Sequence, residues 1–443
     1  MKFKFITIFL SILFIPTYMI SQSNHLLPDI EKIIDTNYKS YYEFYKDLHQ
    51  NPELSLYEQE TSKKIATKLK EIGYNVTDNF GGYGVVGILK NGKGPTLLIR
   101  TDMDALPIEE KTNLDYASTK ITKDNEGVKT PIMHACGHDM HMTVFIGTAT
   151  TLFEMQKHWK GTLILIAQPA EEVSKGAKAM LKAGLFEKFP IPDYCLALHV
   201  NPNIESGKVG LNSGPFFASV DMLDITVFGL GGHGAIPDKT VDPIVLAARM
   251  VLAFQTIVSR EVAPLETAVV TVGSINGGTK HNIIPDKVKM QLTIRTYSND
   301  LRNKIIESLK RISKGIAISA GLEEDKYPIV FVRDENAPPV LNDVELTKKV
   351  KTAFEKILGE DNIIEVQPTM AGEDFSIYGN TKEKVPICMF WLGAVSEKKI
   401  AEYEKNNKML PSLHSPYFSP DVEKTMKTGI KAMSGAAMSI FSN

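Results

Sequence analysis

Apolar and polar positions follow one rhythm up to about residue 213 of this chain and a different one after it. In the first part, helical spacing over residues 30–49, and again after Asn51-Pro52-Glu53, predicts two amphipathic helices. Short continuous apolar runs at 85–89, 96–100, 162–167 and 196–200 have the length of buried strands. The first two flank Asn91-Gly92-Lys93-Gly94 and are expected to form a β-hairpin with a four-residue loop. A small-residue helix is expected over 176–183.

From Ser213-Gly214-Pro215 onward, 221–228 alternates as a half-buried strand and 241–258 has helical periodicity. Strands at 267–272 and 287–296, a helix at 301–320 and a strand at 327–332 complete the order βαββαβ, that of a ferredoxin-like unit. Residues 387–392 return to fully buried strand character, with Pro386 at the entrance where no ladder donor is lost. The expected architecture is α/β: an open mixed sheet flanked by helices (22–214 and 334–443), carrying the metal site described below. A ferredoxin-like α+β lid or dimerisation domain (215–333) is inserted into it. The edges of a four-stranded insert offer a pairing surface, so a homodimer through that domain is expected.

The 443 residues carry 43% hydrophobic and 23% charged side chains, ordinary for a globular enzyme. A net charge of -2, with no local basic block, leaves no footprint for nucleic acid. Lys2 and Lys4 precede an apolar stretch, 5–20, and Ser21 closes it before a polar segment. That order is a secretory signal peptide over 1–21, too short and too interrupted by Pro16 for a stable membrane span. Export, to the periplasm or beyond, is the expected fate. Cys136, Cys195 and Cys388 are too few for a disulfide framework. Cys195 and Cys388 sit in apolar runs and are expected to be buried small residues.

Three apolar runs deliver polar chemistry at or just past their C-terminal ends: Asp102-Met103-Asp104, Glu171-Glu172 and His199. Open α/β sheets bind ligands at that edge, although a single acid there commonly caps the next helix. His134-Ala135-Cys136-Gly137-His138-Asp139-Met140-His141 adds three imidazoles, a thiol and a carboxylate, and His414 adds another imidazole. Soft, borderline and hard donors together describe a transition-metal site such as zinc, manganese or cobalt. An acid next to a ligand acid supplies what metal-assisted hydrolysis also needs, a general base beside a metal-bound water.

These segments, with Gln168-Pro169-Ala170, Gly231-Gly232-His233-Gly234-Ala235, Ala371-Gly372-Glu373-Asp374-Phe375 and Leu413-His414-Ser415-Pro416, resemble the M20 metallopeptidase family. The likeness is to its amidohydrolase branch of hippurate hydrolases, N-acyl-amino-acid amidohydrolases and auxin-conjugate hydrolases, and runs from about His49 to Phe418. The resemblance implies two neighbouring divalent ions (zinc, manganese, cobalt or nickel) held by Cys136, His138, Glu172, His199 and His414. The spacing of Cys136 and His138 allows this if an extended backbone aims both side chains to one side. His134 and His141 are the competing ligands, left out by the family pattern. The branch has Asp102-Met103-Asp104 where many relatives have His-x-Asp, and Cys136 where a bridging carboxylate is expected.

By the same resemblance Glu171 is the general base and acid, a solvated helix-start acid being the alternative. Asp104 orients a ligand imidazole or caps a strand end. His233 stabilises the tetrahedral oxyanion, often from a partner subunit, or sits in an ordinary glycine-rich turn. Asn282 and Arg295 contact the substrate carboxylate; a surface strand residue is the alternative for Arg295. Gly372 approaches that carboxylate through its backbone, or is a simple turn glycine. The expected activity is metal-dependent hydrolysis of the amide bond of N-acyl amino acids or short peptides. A dipeptidase or aminopeptidase of the same family is the nearer alternative. A catalytically silent peptide- or metal-binding protein is the further one, against which the retention of Glu171 and all five ligands argues.

Overall fold

The computed structural model describes residues 26–123 and 127–442, so the signal segment expected over 1–21 lies outside the described residues. The amino-terminal helical patterns become α1 (Leu26–Gln50) and α2 (Gln59–Ile72). There follow β1 (Asn75–Thr77), β2 (Val85–Asn91), β3 (Thr96–Asp102), β4 (Ile121–Lys123), β5 (Lys129–Pro131), α3 (His138–Glu154) and β6 (Gly161–Gln168). Next come α4 (Gly176–Lys182), α5 (Leu185–Lys188), β7 (Tyr194–Glu205), β8 (Val209–Leu211) and β9 (Gly214–Phe217). A second module contains β10 (Val220–Phe228), β11 (Gly232–His233), α6 (Pro243–Thr256), β12 (Ala268–Gly277), β13 (Ile283–Ile284), β14 (Lys287–Thr296), α7 (Asn299–Ser319) and β15 (Ile329–Ala337). The chain returns through β16 (Val340–Asn342) to α8 (Val344–Leu358), β17 (Ile363–Glu365), α9 (Ser376–Gly379), β18 (Ile387–Val395), α10 (Glu397–Lys405) and α11 (Val422–Phe441).

The large sheet has the order β1-β2-β6-β3-β7-β18-β8-β17, with β6, β3, β7 and β18 parallel to one another. Alternation along β6 shows why this run is apolar on both sides. Leu163 and Leu165 pack into the core beneath α1, α2, α3 and α11, while Ile164 and Ile166 pack into the opposite core with Met180 of α4. Burial on both faces is what a central parallel strand requires.

The expected hairpin of β2 and β3 does not form. Strand β6 lies between them, antiparallel to β2 and parallel to β3. The loop therefore bridges two strand spacings and crosses the start of β6, where the Thr162 N–H donates to the Pro95 carbonyl at 2.9 Å. Gly94 is needed for that crossing, since a Cβ there would lie 2.4 Å from the Lys160 carbonyl oxygen. A doubly apolar strand gains more by burying both edges than a tight turn gains by local pairing.

The second module is a four-stranded antiparallel sheet of order β12-β14-β10-β15, with α6 and α7 packed on one face. This is the ferredoxin-like arrangement. Strands β9 and β16 pair with each other where the chain passes between the two sheets. Lys175 and Lys178, beside and within α4, pair with Glu335 and Asp334 of β15 at 3.3 and 3.6 Å.

Candidate metal centre

The site is assembled at the carboxyl edge of the large sheet. Beyond β6 the chain turns through Pro169 and Ala170, which holds a φ of 54°. Three main-chain N–H groups of this turn are taken by carboxylates from elsewhere. Ala170 donates to Glu58 Oε1 at 2.7 Å, Glu171 to Asp104 Oδ1 at 3.1 Å, and Glu172 to Asp104 Oδ2 at 2.9 Å. Ser55 Oγ also donates to Asp104 Oδ2, at 2.6 Å. Asp104 therefore fixes both acids at once, besides lying 3.5 Å from His138 Nδ1. Burial opposes its charge, but His138, Ser55 and these amides outweigh that and hold its carboxyl below the usual range.

Cys136 and His138 do not lie on the extended segment that their spacing suggested. Gly137 between them is left-handed (φ 79°), and His138 is the first residue of α3. A Cβ on Gly137 would also meet Val200 Cγ2 at 2.5 Å, so a glycine is required twice over. His414 is docked against the same motif through its N–H, which donates to the Ala135 carbonyl at 2.9 Å. His199 is not near a strand end, since β7 continues past it to Glu205.

All five expected donors meet. Cys136 Sγ is 3.4 Å from His199 Nε2 and 3.3 Å from His414 Nε2. Glu172 Oε1 is 3.5 Å from His414 Nε2 and 3.9 Å from His138 Nε2. Cys136, His138 and His199 form one group with donor atoms within 4.8 Å of one another, and Cys136, Glu172 and His414 form a second. The residues fit a metal on two counts. Among the described residues, the Nε2 of His138 and the Oε1 of Glu172 are buried without a hydrogen-bond partner, a costly state that a cation removes. The second count is the donor set itself: a thiol, imidazoles and a carboxylate converge, the mixture of soft, borderline and hard donors that transition metals take.

Of the competing ligands, His141 has both nitrogens engaged, by Asp102 and by the Val200 N–H. His134 is buried and pushed down to about 4 by desolvation, and it joins none of the clustered donor groups among the described residues.

Glu171 lies beside the donors, its Oε2 4.0 Å from His138 Nε2. It also clusters with Glu373 and Asp374. Burial, then Glu373, Glu172 and Asp374, push its carboxyl well above the usual range. Beneath them is a buried arginine that sequence reasoning passed over. Arg100 donates to Asp102 at 2.6 Å, Glu373 at 2.9 Å, Asp374 at 3.1 Å and Gln168 at 3.1 Å. A lone arginine in an apolar strand was the available signal, since a buried guanidinium must be paired. Glu58 was passed over as well. So was His49, whose ring bridges Asp139 (2.6 Å) and Glu110 (3.0 Å) and ties α1 to the start of α3.

Of the remaining expected residues, His233, Asn282 and Arg295 belong to the second module and join none of the donor groups among the described residues, whereas Gly372 directly precedes Glu373 of the acid cluster. His233 is exposed on β11, which pairs with β13, and Gly234 donates to the Asn282 carbonyl at 2.9 Å, so His233 and Asn282 share one small element. Arg295 is half-buried on β14 and donates to Thr293 Oγ1 and the Ile294 carbonyl. Gly372 packs against the start of β10, where a Cβ would fall 1.8 Å from Val220 Cγ2.

An open α/β sheet with a mixed thiol, imidazole and carboxylate cluster at its carboxyl edge, beside a separate ferredoxin-like module, defines a metal-dependent hydrolase. The sequence profile of Peptidase family M20/M25/M40 matches residues 98–439. The chain is 40% identical to a hippurate hydrolase of Campylobacter jejuni over 338 residues, 76% of this chain and 84% of that one. It is 39% identical to an N-acetyl-L-cysteine deacetylase of Bacillus subtilis over 338 residues, 75% and 76% of the two chains. Its fold matches the crystal structure of a Bacillus subtilis dinuclear metal-binding peptidase of the M20 family with a TM-score of 0.74 and 30% identity, covering 92% of this chain and 99% of that one. The chain belongs to Peptidase family M20/M25/M40.

Proposed function

We propose that the chain hydrolyses the amide bond of N-acyl amino acids at a centre of two divalent ions held by Cys136, His138, Glu172, His199 and His414. The observation that carries this reading is the division of labour between adjacent acids. Asp104 takes both of their main-chain N–H groups, Glu172 Oε1 faces His138 and His414, and Glu171 is left among Glu373 and Asp374. Bound divalent ions lower the pKa of a coordinated water and polarise a carbonyl. Glu171 takes up a proton at its carboxylate and returns it to the leaving amine nitrogen. Zinc, manganese, cobalt and nickel all suit this donor set.

The relatives' names, hippurate hydrolase and N-acetyl-L-cysteine deacetylase, support acyl amino acids as the substrate class. Asn282, Arg295 and the Gly372 loop would receive the carboxylate, and His233 the oxyanion. A homodimer through the second module is supported by two features. Strand β12 is an edge strand, and α6 presents exposed Ile244, Val245 and Leu252. Export is supported by the charged-then-apolar order of residues 1–21.

The test is metal-free protein reconstituted with each ion and assayed on benzoylglycine, acetylcysteine and unblocked dipeptides. The acyl amino acids are expected to turn over only with metal. Glu171→Ala should lose about a hundredfold to ten-thousandfold in kcat with its metal content intact. Faster cleavage of unblocked dipeptides would replace the substrate class. Metal-independent turnover, or none, would overturn the reading.

A further inference from the structure

We infer that Asp102 and His141 are positioning residues for His199, acting through the main chain at Val200. The inference rests on the two-ion reading above and assigns the device that aims one of its ligands.

It begins with a gap in the sheet. Strand β3 pairs with β7 from Leu97↔Tyr194 to Ile99↔Leu196 and then leaves it. On the other side β18 keeps pairing through Trp391↔His199 and Leu392↔Val200. Val200 is fully buried beyond the end of the β3 ladder, and a buried main-chain group without a partner costs about as much as a lost hydrogen bond. Imidazoles supply both partners. The Val200 N–H donates to His141 Nε2 at 2.9 Å, and the Val200 carbonyl accepts from His199 Nδ1 at 2.8 Å.

These two bonds settle the tautomers. His141 must keep a lone pair on Nε2, so its proton is on Nδ1, and that N–H donates to Asp102 Oδ1 at 2.7 Å. The other oxygen of Asp102 is held by Arg100 Nη1 at 2.6 Å. His199 keeps its proton on Nδ1, which frees the Nε2 lone pair 3.4 Å from Cys136 Sγ. Hydrogen bonds thus run unbroken from Arg100 through Asp102 and His141 to Val200 and His199.

Two packing contacts stiffen the same point. The His141 ring stands nearly edge-on to His199, with centroids 4.5 Å apart and planes at 71°. Gly137 lies against Val200 from the motif side. A ligating histidine needs a partner on its other nitrogen to fix ring and tautomer. Here that partner is a main-chain carbonyl of the next residue, and His141 sets where that residue lies.

The experiment is cobalt(II) titration of the metal-free protein, with chelator competition to read each affinity and the thiolate-to-cobalt absorption band to report on Cys136. The native chain is expected to take two equivalents. In His141→Leu, which lacks the acceptor, the ion held by Cys136, His138 and His199 should weaken about tenfold to a hundredfold while the other equivalent binds as before. His141→Gln puts an amide near the former Nε2 and should bind both ions near native affinity. His141→Asn still reaches Asp102 but not Val200, and should behave like His141→Leu. Circular dichroism of the metal-free proteins checks folding. If His141→Leu does not fold, the difference between the Gln and Asn variants decides. Two equivalents at native affinity in His141→Leu, or equal weakening in the Gln and Asn variants, would overturn the positioning role. A native chain that takes fewer than two equivalents would instead overturn the two-ion reading on which it rests.

Discussion

Glu58 and Ala170 are 112 positions apart, yet the carboxylate of the first accepts the main-chain N–H of the second at 2.7 Å. The bond holds a non-glycine residue in the left-handed region immediately before the two acids of the site. Glu58 is buried, and among the described residues its second oxygen has no hydrogen-bond partner. Desolvation, and then the charge of Asp104, push it up to about 8 from an ordinary value of 4.5. A carboxyl raised on folding contributes stability that is full below the unfolded value and is lost as pH rises through the folded one. In metal-free protein the advantage of Glu58→Gln in Tm should therefore grow from below pH 4.5 to above pH 8 and then level off. A constant difference across that range would mean that Glu58 does not carry the proton.

Arg100 is the cation for three buried carboxylates, and removing one partner of such a network leaves the others uncompensated. Arg100→Leu is expected to destabilise the protein by about 3–5 kcal/mol in denaturant unfolding. Arg100→Lys should recover only part of this, because an ammonium cannot reproduce the four-way fork. An unchanged midpoint in Arg100→Leu would count against the network as a structural element.

Alkylation reports on Cys136. Its buried thiol is pushed well up by desolvation and the neighbouring Glu172 and Glu171, so metal-free protein should label slowly and faster as pH rises. Metal-loaded protein should resist labelling at that position. Cys195 and Cys388, both buried in the core, serve as internal controls in the mass spectrum. At a pH where metal-free protein labels measurably, equal rates at Cys136 with and without metal would exclude it as a ligand.

His233→Ala should lose on the order of a hundredfold in kcat, with metal content unchanged, if the imidazole is an oxyanion donor. Because His233 is exposed on the second module and lies outside the donor cluster, it must arrive by closure of the modules or from another copy. Mixing His233→Ala with Glu171→Ala should restore activity in the second case, provided exchange of subunits is demonstrated. An unimpaired His233→Ala enzyme would remove the residue from the chemistry.

Periodicity located most of the elements because it depends only on which face of a local segment must be buried. The strand expected over 287–296 is β14, and the helical pattern of 301–320 is α7 to within two residues at its start and one at its end. Donor chemistry was legible for a similar reason. A thiol, imidazoles and paired acids clustered behind apolar runs have few uses other than holding a cation, and the structure brings Cys136, His138, Glu172, His199 and His414 into contact. What sequence alone left undecided depends on partners far along the chain. The expected hairpin failed because β6, some seventy residues after β2, had the stronger claim to the space between its arms. The same holds for Arg100, Glu58 and His141, whose partners are brought in by other strands and loops. A local segment determines its own burial pattern and its own donors. Which buried main-chain group lacks a strand partner, and which distant carboxylate or imidazole fills that place, is decided only when the sheet has closed around them.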